Sequence, residues 1–124
     1  MSDFKRRDVL HILGAAPAAA AFTWTDAEAQ QAAQGSQAAR RRAVTARQAY
    51  KPRFFTTREF ATLVALADLI IPKDARSGSA SEAGAPEFVD YIVAEQKDRQ
   101  TAMRGGLAWL DAECRRRFDK AFLE

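Results

Sequence analysis

Asp68, Asp74, Asp90 and Asp111 are the residues that could be proposed as acid–base groups. A carboxylate does such work when burial, a like charge or a directed hydrogen bond moves its pKa toward the working pH. The residues around these four specify no such neighbour, so helix surfaces and loop caps account for them equally well. The one histidine, His11, lies in an N-terminal segment of different character. No His/Cys metal cluster, glycine-rich phosphate loop, Cys-x-x-Cys-His haem attachment or nucleophile elbow is written in the chain. These absences argue against a self-contained enzyme. Cys114 is the only cysteine, which excludes an internal disulfide. It reads as a small apolar residue on a packed helix face, or as half of an intersubunit disulfide.

Two basic clusters could bind anions. Arg40-Arg41-Arg42, with Arg47, Lys51 and Arg53, could meet phosphate or anionic lipid headgroups, or could simply keep a solvated linker soluble. Arg115-Arg116-Arg117 flanks an apolar stripe and suits a helix surface or an interface. The overall balance is modest, +3 for 124 residues. Residues 1–29 hold three basic and four acidic residues, leaving 16 basic and 12 acidic beyond them, a charge of +4. Nucleic acid is not an expected partner.

The chain opens Lys5-Arg6-Arg7-Asp8-Val9-Leu10-His11, followed by an alanine-rich apolar run from Ile12 to Phe22. A basic start, a short apolar stretch and a small-residue site downstream make a secretory signal. The arginine pair, with Val9 and Leu10 after it, points to the twin-arginine route, which carries folded proteins. Lys5 before the pair and His11 after it depart from the usual pattern. The run contains Pro17 and is too short and too weakly apolar to span a bilayer. Ala27-Glu28-Ala29 offers an Ala-x-Ala cleavage site, which would start the mature chain at Gln30.

The elements behind this leader are helical. Residues 30–53 are rich in Gln, Ala, Gly and Ser and then in Arg, a composition that reads as a flexible, disordered basic linker. From Phe54 onward the apolar residues become periodic. Thr56 with Glu59 forms a capping box, and Phe55 with Phe60 suits a hydrophobic staple. Phe60, Leu63, Val64, Ala67, Ile70 and Ile71 then recur at helical spacing until Pro72 stops the helix. Lys73 to Ala85 reads as a polar loop. Pro86 fits the first turn of a second helix, reaching about Lys97. A third runs from near Arg99 to Phe118, with Leu107, Leu110, Cys114 and Phe118 on one stripe and Trp109 beside it. Gly105-Gly106 weakens it locally by about 1 kcal/mol each relative to alanine, so a bend or a close helix contact is expected there. The expected architecture is all-α: a signal peptide over 1–29, a linker over 30–53 and about three helices over 54–124. Seventy-one residues make a marginal core, so a partner surface or further chain is physically expected.

Phe54 to Phe122 resembles the gluconate 2-dehydrogenase subunit 3 family. The matching strings are Phe54-Phe55-Thr56, Leu66-Ala67-Asp68-Leu69-Ile70-Ile71-Pro72, Ala83-Gly84-Ala85-Pro86-Glu87-Phe88-Val89-Asp90 and Gly106-Leu107-Ala108-Trp109-Leu110-Asp111. The resemblance implies a non-catalytic small subunit with no cofactor of its own. Its partners would be a large flavoprotein that binds FAD and a cytochrome subunit that carries haem c. The small subunit would escort the flavoprotein through the twin-arginine translocase to the periplasm, at the outer face of the inner membrane. Asp68 and Asp90 match the family pattern, with capping or packing as their expected role. Phe60, Leu63, Trp109, Phe118 and Cys114 are the candidate partner interface. Family members continue with helical sequence after the region corresponding to Phe122, so truncation at Glu124 is expected. The rival reading is a stand-alone exported helical module that binds a membrane surface through its basic linker.

Overall fold

Three times along the chain a hydroxyl residue is followed at the third position by glutamate: Thr25 and Glu28, Thr56 and Glu59, Ser79 and Glu82. In the structure, a computed structural model that describes residues 24–124, a helix begins at each of them. The hydroxyl accepts the N–H of the glutamate, and the glutamate carboxylate accepts the N–H of the hydroxyl residue. Two otherwise unpaired donors at each helix start are thereby satisfied. These helices are α1 (Asp26–Thr45), α2 (Thr57–Ile70) and the single turn α3 (Ala80–Ala83). The chain then turns through Gly84, whose φ of 87° suits a residue without Cβ. It enters α4 (Ala85–Glu95), with Pro86 in the first turn, and continues into α5 (Lys97–Phe118). Among the described residues there is no strand, so the all-α expectation holds.

The flexible linker expected over 30–53 is a correction. Residues through Thr45 belong to α1, and only the stretch that follows is irregular. Alanine, glutamine and arginine are good helix formers, and the Thr25–Glu28 cap supplies the start. What the segment lacks is bulk. Its packed face is made of small residues, with Ala32 and Ser36 buried and Gly35 between them. A small face lets two helix backbones approach closely, and here the neighbour is α4. A Cβ on Gly35 would stand 2.5 Å from Cε1 of Tyr91. The expected polar loop over 73–85 also contains α3, which its own capping box starts. Gly105 and Gly106 lie within an unbroken α5, and nothing within 4 Å would meet a Cβ on either, so no contact among the described residues requires them.

The short helix α4 is central: it packs against α1, α2, α3 and α5. Ile92 and Val93 are buried with Ala32 of α1. Phe55, Leu63 and Leu107 form a second cluster between α2 and α5. Phe54, Val89 and Met103 pack against both clusters and join them. No helix among the described residues is long and apolar enough to cross a membrane. Arg6, Arg7, Val9, Leu10 and His11 lie outside the described residues.

Gly35→Ala tests the small face of α1. Helix propensity alone would stabilise by about 1 kcal/mol, whereas overpacking against the Tyr91 ring costs about 1–3 kcal/mol. The net expectation is a lower unfolding midpoint by circular dichroism, with the loss removed in a Tyr91→Leu background.

Candidate functional site

The four aspartates that could have been acid–base groups all accept backbone N–H groups. Asp90 is the most constrained. It follows Phe88-Val89 and precedes Tyr91-Ile92-Val93, so the buried face of α4 carries it inside, where it is 0% exposed. Its Oδ2 accepts the Tyr50 hydroxyl at 2.7 Å and the Arg53 N–H at 2.7 Å. Its Oδ1 accepts the N–H groups of Phe54 at 3.0 Å and Phe55 at 3.2 Å. A buried carboxylate is tolerated when such donors replace water. Burial, reinforced by the hydrogen bond to Asp90 and its negative charge, pushes the Tyr50 phenol well above its ordinary range, so it stays a donor.

Asp68, near the end of α2, accepts the N–H of Ser81 at 2.7 Å and its hydroxyl at 2.6 Å. These bonds hold its pKa below the ordinary value and tie α3 to α2. Asp74 accepts the N–H groups of Arg76 and Ser77, each at 2.8 Å, inside its own turn. Asp111 accepts the Phe122 N–H at 3.1 Å, which folds the segment after α5 back onto that helix. No group of three or more His, Cys, Asp or Glu that could hold a metal is present among the described residues.

Arg104 of α5 links the entrance of α2 to α5. It pairs with Glu59 at 2.9 Å, donates to the Phe54 carbonyl at 3.0 Å and lies 4.4 Å from the centroid of the Phe54 ring. Burial raises the Glu59 pKa, but the Thr56 N–H and the Arg104 guanidinium outweigh it and leave the carboxyl below its ordinary range. The basic clusters are partly committed inside the molecule. Arg40 donates to the Glu82 carbonyl at 2.9 Å and faces Glu87 at 3.7 Å. Arg53 pairs with Glu95 at 2.8 Å over the Tyr91 ring. Arg116 and Arg117 both pair with Glu113.

The five candidate interface residues divide between core and surface. Leu63 is buried, and Phe60 is half-buried with its ring 5.2 Å from that of Tyr50. Both serve the core. Cys114 is half-buried and free. Trp109 and Phe118 are 65% and 69% exposed. Three further exposed residues, Leu69, Ile70 and Ile71, end α2. Between α2 and α5 runs an open apolar groove of about 390 Å³, lined by Leu63, Leu66, Met103, Gly106, Trp109 and Leu110. The periodic pattern places Ile70 and Ile71 on the apolar face with Phe60 and Leu63, but at the end of the helix both stay in water beside Leu69. Trp24 and Tyr50 carried no spacing signal. Each acts by a contact distant in sequence, Trp24 on Phe88 and Tyr50 on Asp90.

Residues 57–124 match the model of the family described as gluconate 2-dehydrogenase subunit 3. The chain belongs to that family. No curated protein and no solved structure matches it. A subunit 3 is an accessory part of a multi-subunit dehydrogenase, which implies a larger partner subunit. The matched segment begins at the first residue of α2 and takes in α2 to α5. The donors that satisfy its buried Asp90 all come from upstream of it, at Tyr50 and residues 53–55.

Asp90→Asn keeps the shape but turns an amide NH₂ toward donors. It is expected to destabilise by about 2–4 kcal/mol, since hydrogen bonds to a charged group contribute about 1.5–3 kcal/mol and an unpaired buried donor adds to the loss. Chemical denaturation measures this, and an unchanged midpoint would refute the role. For Glu59 the folded pKa lies below the ordinary 4.5. Its contribution is therefore present above pH 4.5 and lost as pH falls through the folded value. The stability gap between wild type and Glu59→Gln should close on acidification and stay constant between pH 6 and 8.

Proposed function

We propose that this subunit binds the large FAD-dependent flavoprotein of a sugar or sugar-acid dehydrogenase and escorts it, folded, through the twin-arginine translocase. Arg6 and Arg7 are the recognised pair, and the destination is the periplasmic face of the inner membrane. There a cytochrome c subunit passes electrons onward from the flavin. The chemistry belongs to the partners, with FAD in the large subunit and haem c in the cytochrome.

The observation that carries this reading is the conjunction of family membership with an unpartnered apolar surface. Trp109, Phe118 and the Leu69-Ile70-Ile71 trio are large, exposed and set around the α2–α5 groove or the ends of its two helices. Large exposed apolar patches rimmed by charge mark interaction sites. Arg115, Arg116, Arg117 and Lys120 supply such a rim near Phe118. The alternative, a membrane-binding basic segment over 40–53, is weakened because Arg40 and Arg53 are held by Glu82, Glu87 and Glu95.

Co-expression with a large flavoprotein subunit is expected to give a yellow periplasmic complex. Trp109→Asp with Phe118→Asp should abolish co-purification by at least tenfold while leaving the unfolding midpoint of the isolated chain unchanged, since both side chains are already in water. Arg6→Lys with Arg7→Lys should strand the flavoprotein in the cytoplasm. Periplasmic dehydrogenase activity undiminished in that double variant would sink the escort reading.

A further inference from the structure

The folded body does not begin where the Ala-x-Ala pattern would cut. Ala27 and Ala29 both lie in the first turn of α1, and the Ala29 N–H is bonded to the Thr25 carbonyl at 3.0 Å, across the segment that contains the site. Thr25 donates its N–H to Glu28 Oε2 at 2.8 Å and accepts the Glu28 N–H at 3.2 Å. Trp24, before the cap, is anchored to two other helices. Its ring meets that of Phe88 edge-on at 6.1 Å, its Nε1 donates to Gln96 Oε1 at 3.2 Å, and the Arg99 guanidinium lies 5.6 Å from its centroid. Removal at Gln30 would delete the anchor, the cap residue and the capping glutamate together.

We propose that this closed first turn sets the processing boundary of the chain: the Ala27-Glu28-Ala29 site is occluded by folding, and any leader is removed upstream of Trp24. The proposal rests on the export reading above. A peptidase that reads small residues at two alternate positions must take its substrate as an extended strand, using backbone groups that pair with the enzyme. In α1 those groups are engaged in the helix and its cap. A protein exported in folded form presents the helix already made. Upstream, Ala19-Ala20-Ala21 repeats the small-x-small pattern and would leave Phe22 as the first residue, keeping Trp24 and Thr25 in place.

The test uses the purified full-length chain with bacterial signal peptidase in detergent micelles, read by intact mass. Wild type should yield no product starting at Gln30. The variant Trp24→Ala/Thr25→Gly/Glu28→Ala, which loosens the turn without touching Ala27 or Ala29, should yield it at least tenfold faster. A Gln30 product from wild type at the rate of the variant overturns the proposal, and so does its absence from both. Retention of the native chain in the cytoplasm on cell fractionation would count against the export reading alone.

Discussion

The structure depends on one buried carboxylate. Asp90 lies in the helix that every other described helix touches, with no ion pair to a basic side chain among the described residues. Three backbone N–H groups and one phenol take the place of water. Left unsatisfied, such a group would destabilise the fold by several kcal/mol. Satisfied, it fixes the path of residues 53–55, and that path decides the rest. It sets Phe55 into the core, delivers Thr56 to its capping position and aims α2 across α5, where Leu63 meets Leu107. Arg104 closes the same corner from the α5 side through Glu59 and the Phe54 carbonyl. A polar hub of this kind specifies one arrangement, because any other leaves a charge unpaired.

The same logic governs the weaker joints. This is a small domain with few large buried side chains, and much of its packing is done by alanine, serine and glycine. Directed hydrogen bonds hold its parts in place. Asp68 clips α3 to α2, Asp111 folds the segment after α5 back onto the helix, and three capping boxes define where helices start. Carboxylates that might have served catalysis are employed as acceptors for the backbone.

How much of this was legible depended on whether the signal was local. For α2 every cue lies between Phe55 and Pro72, from the Phe55 staple and Thr56–Glu59 box to the proline itself, and the helix is where those cues put it. For α1 the local cue was present in Thr25 and Glu28. Its core face, however, consists of Ala32, Gly35 and Ser36, which a hydrophobic pattern does not count. Only the Tyr91 ring lying against Gly35 shows why small residues are needed there. Asp90 reads as a helix-surface or capping residue although it interrupts the apolar run Phe88 to Val93, and the structure buries it among four donors. Which partners could not be read, because Tyr50 and Phe54 are 40 and 36 residues away. The interface candidates meet the same limit: apolar periodicity marks a face but does not say whether the chain itself covers it. Phe60 and Leu63 are covered, whereas Trp109 and Phe118 are not.

The division between core and uncovered surface bears on how an accessory subunit can work. Its apolar residues are too few to build a large core, yet five bulky ones stay in water near the ends of α2 and along α5. An isolated chain that spends its scarce apolar surface outward gains stability only when something covers it. The hub at Asp90 makes this workable. It holds the entrance of α2 against α5 without those side chains, so a partner docking on the proposed apolar face would meet a face already formed. The buried charge and the exposed apolar groove are thus two halves of one arrangement, the first preserving the shape that the second presents.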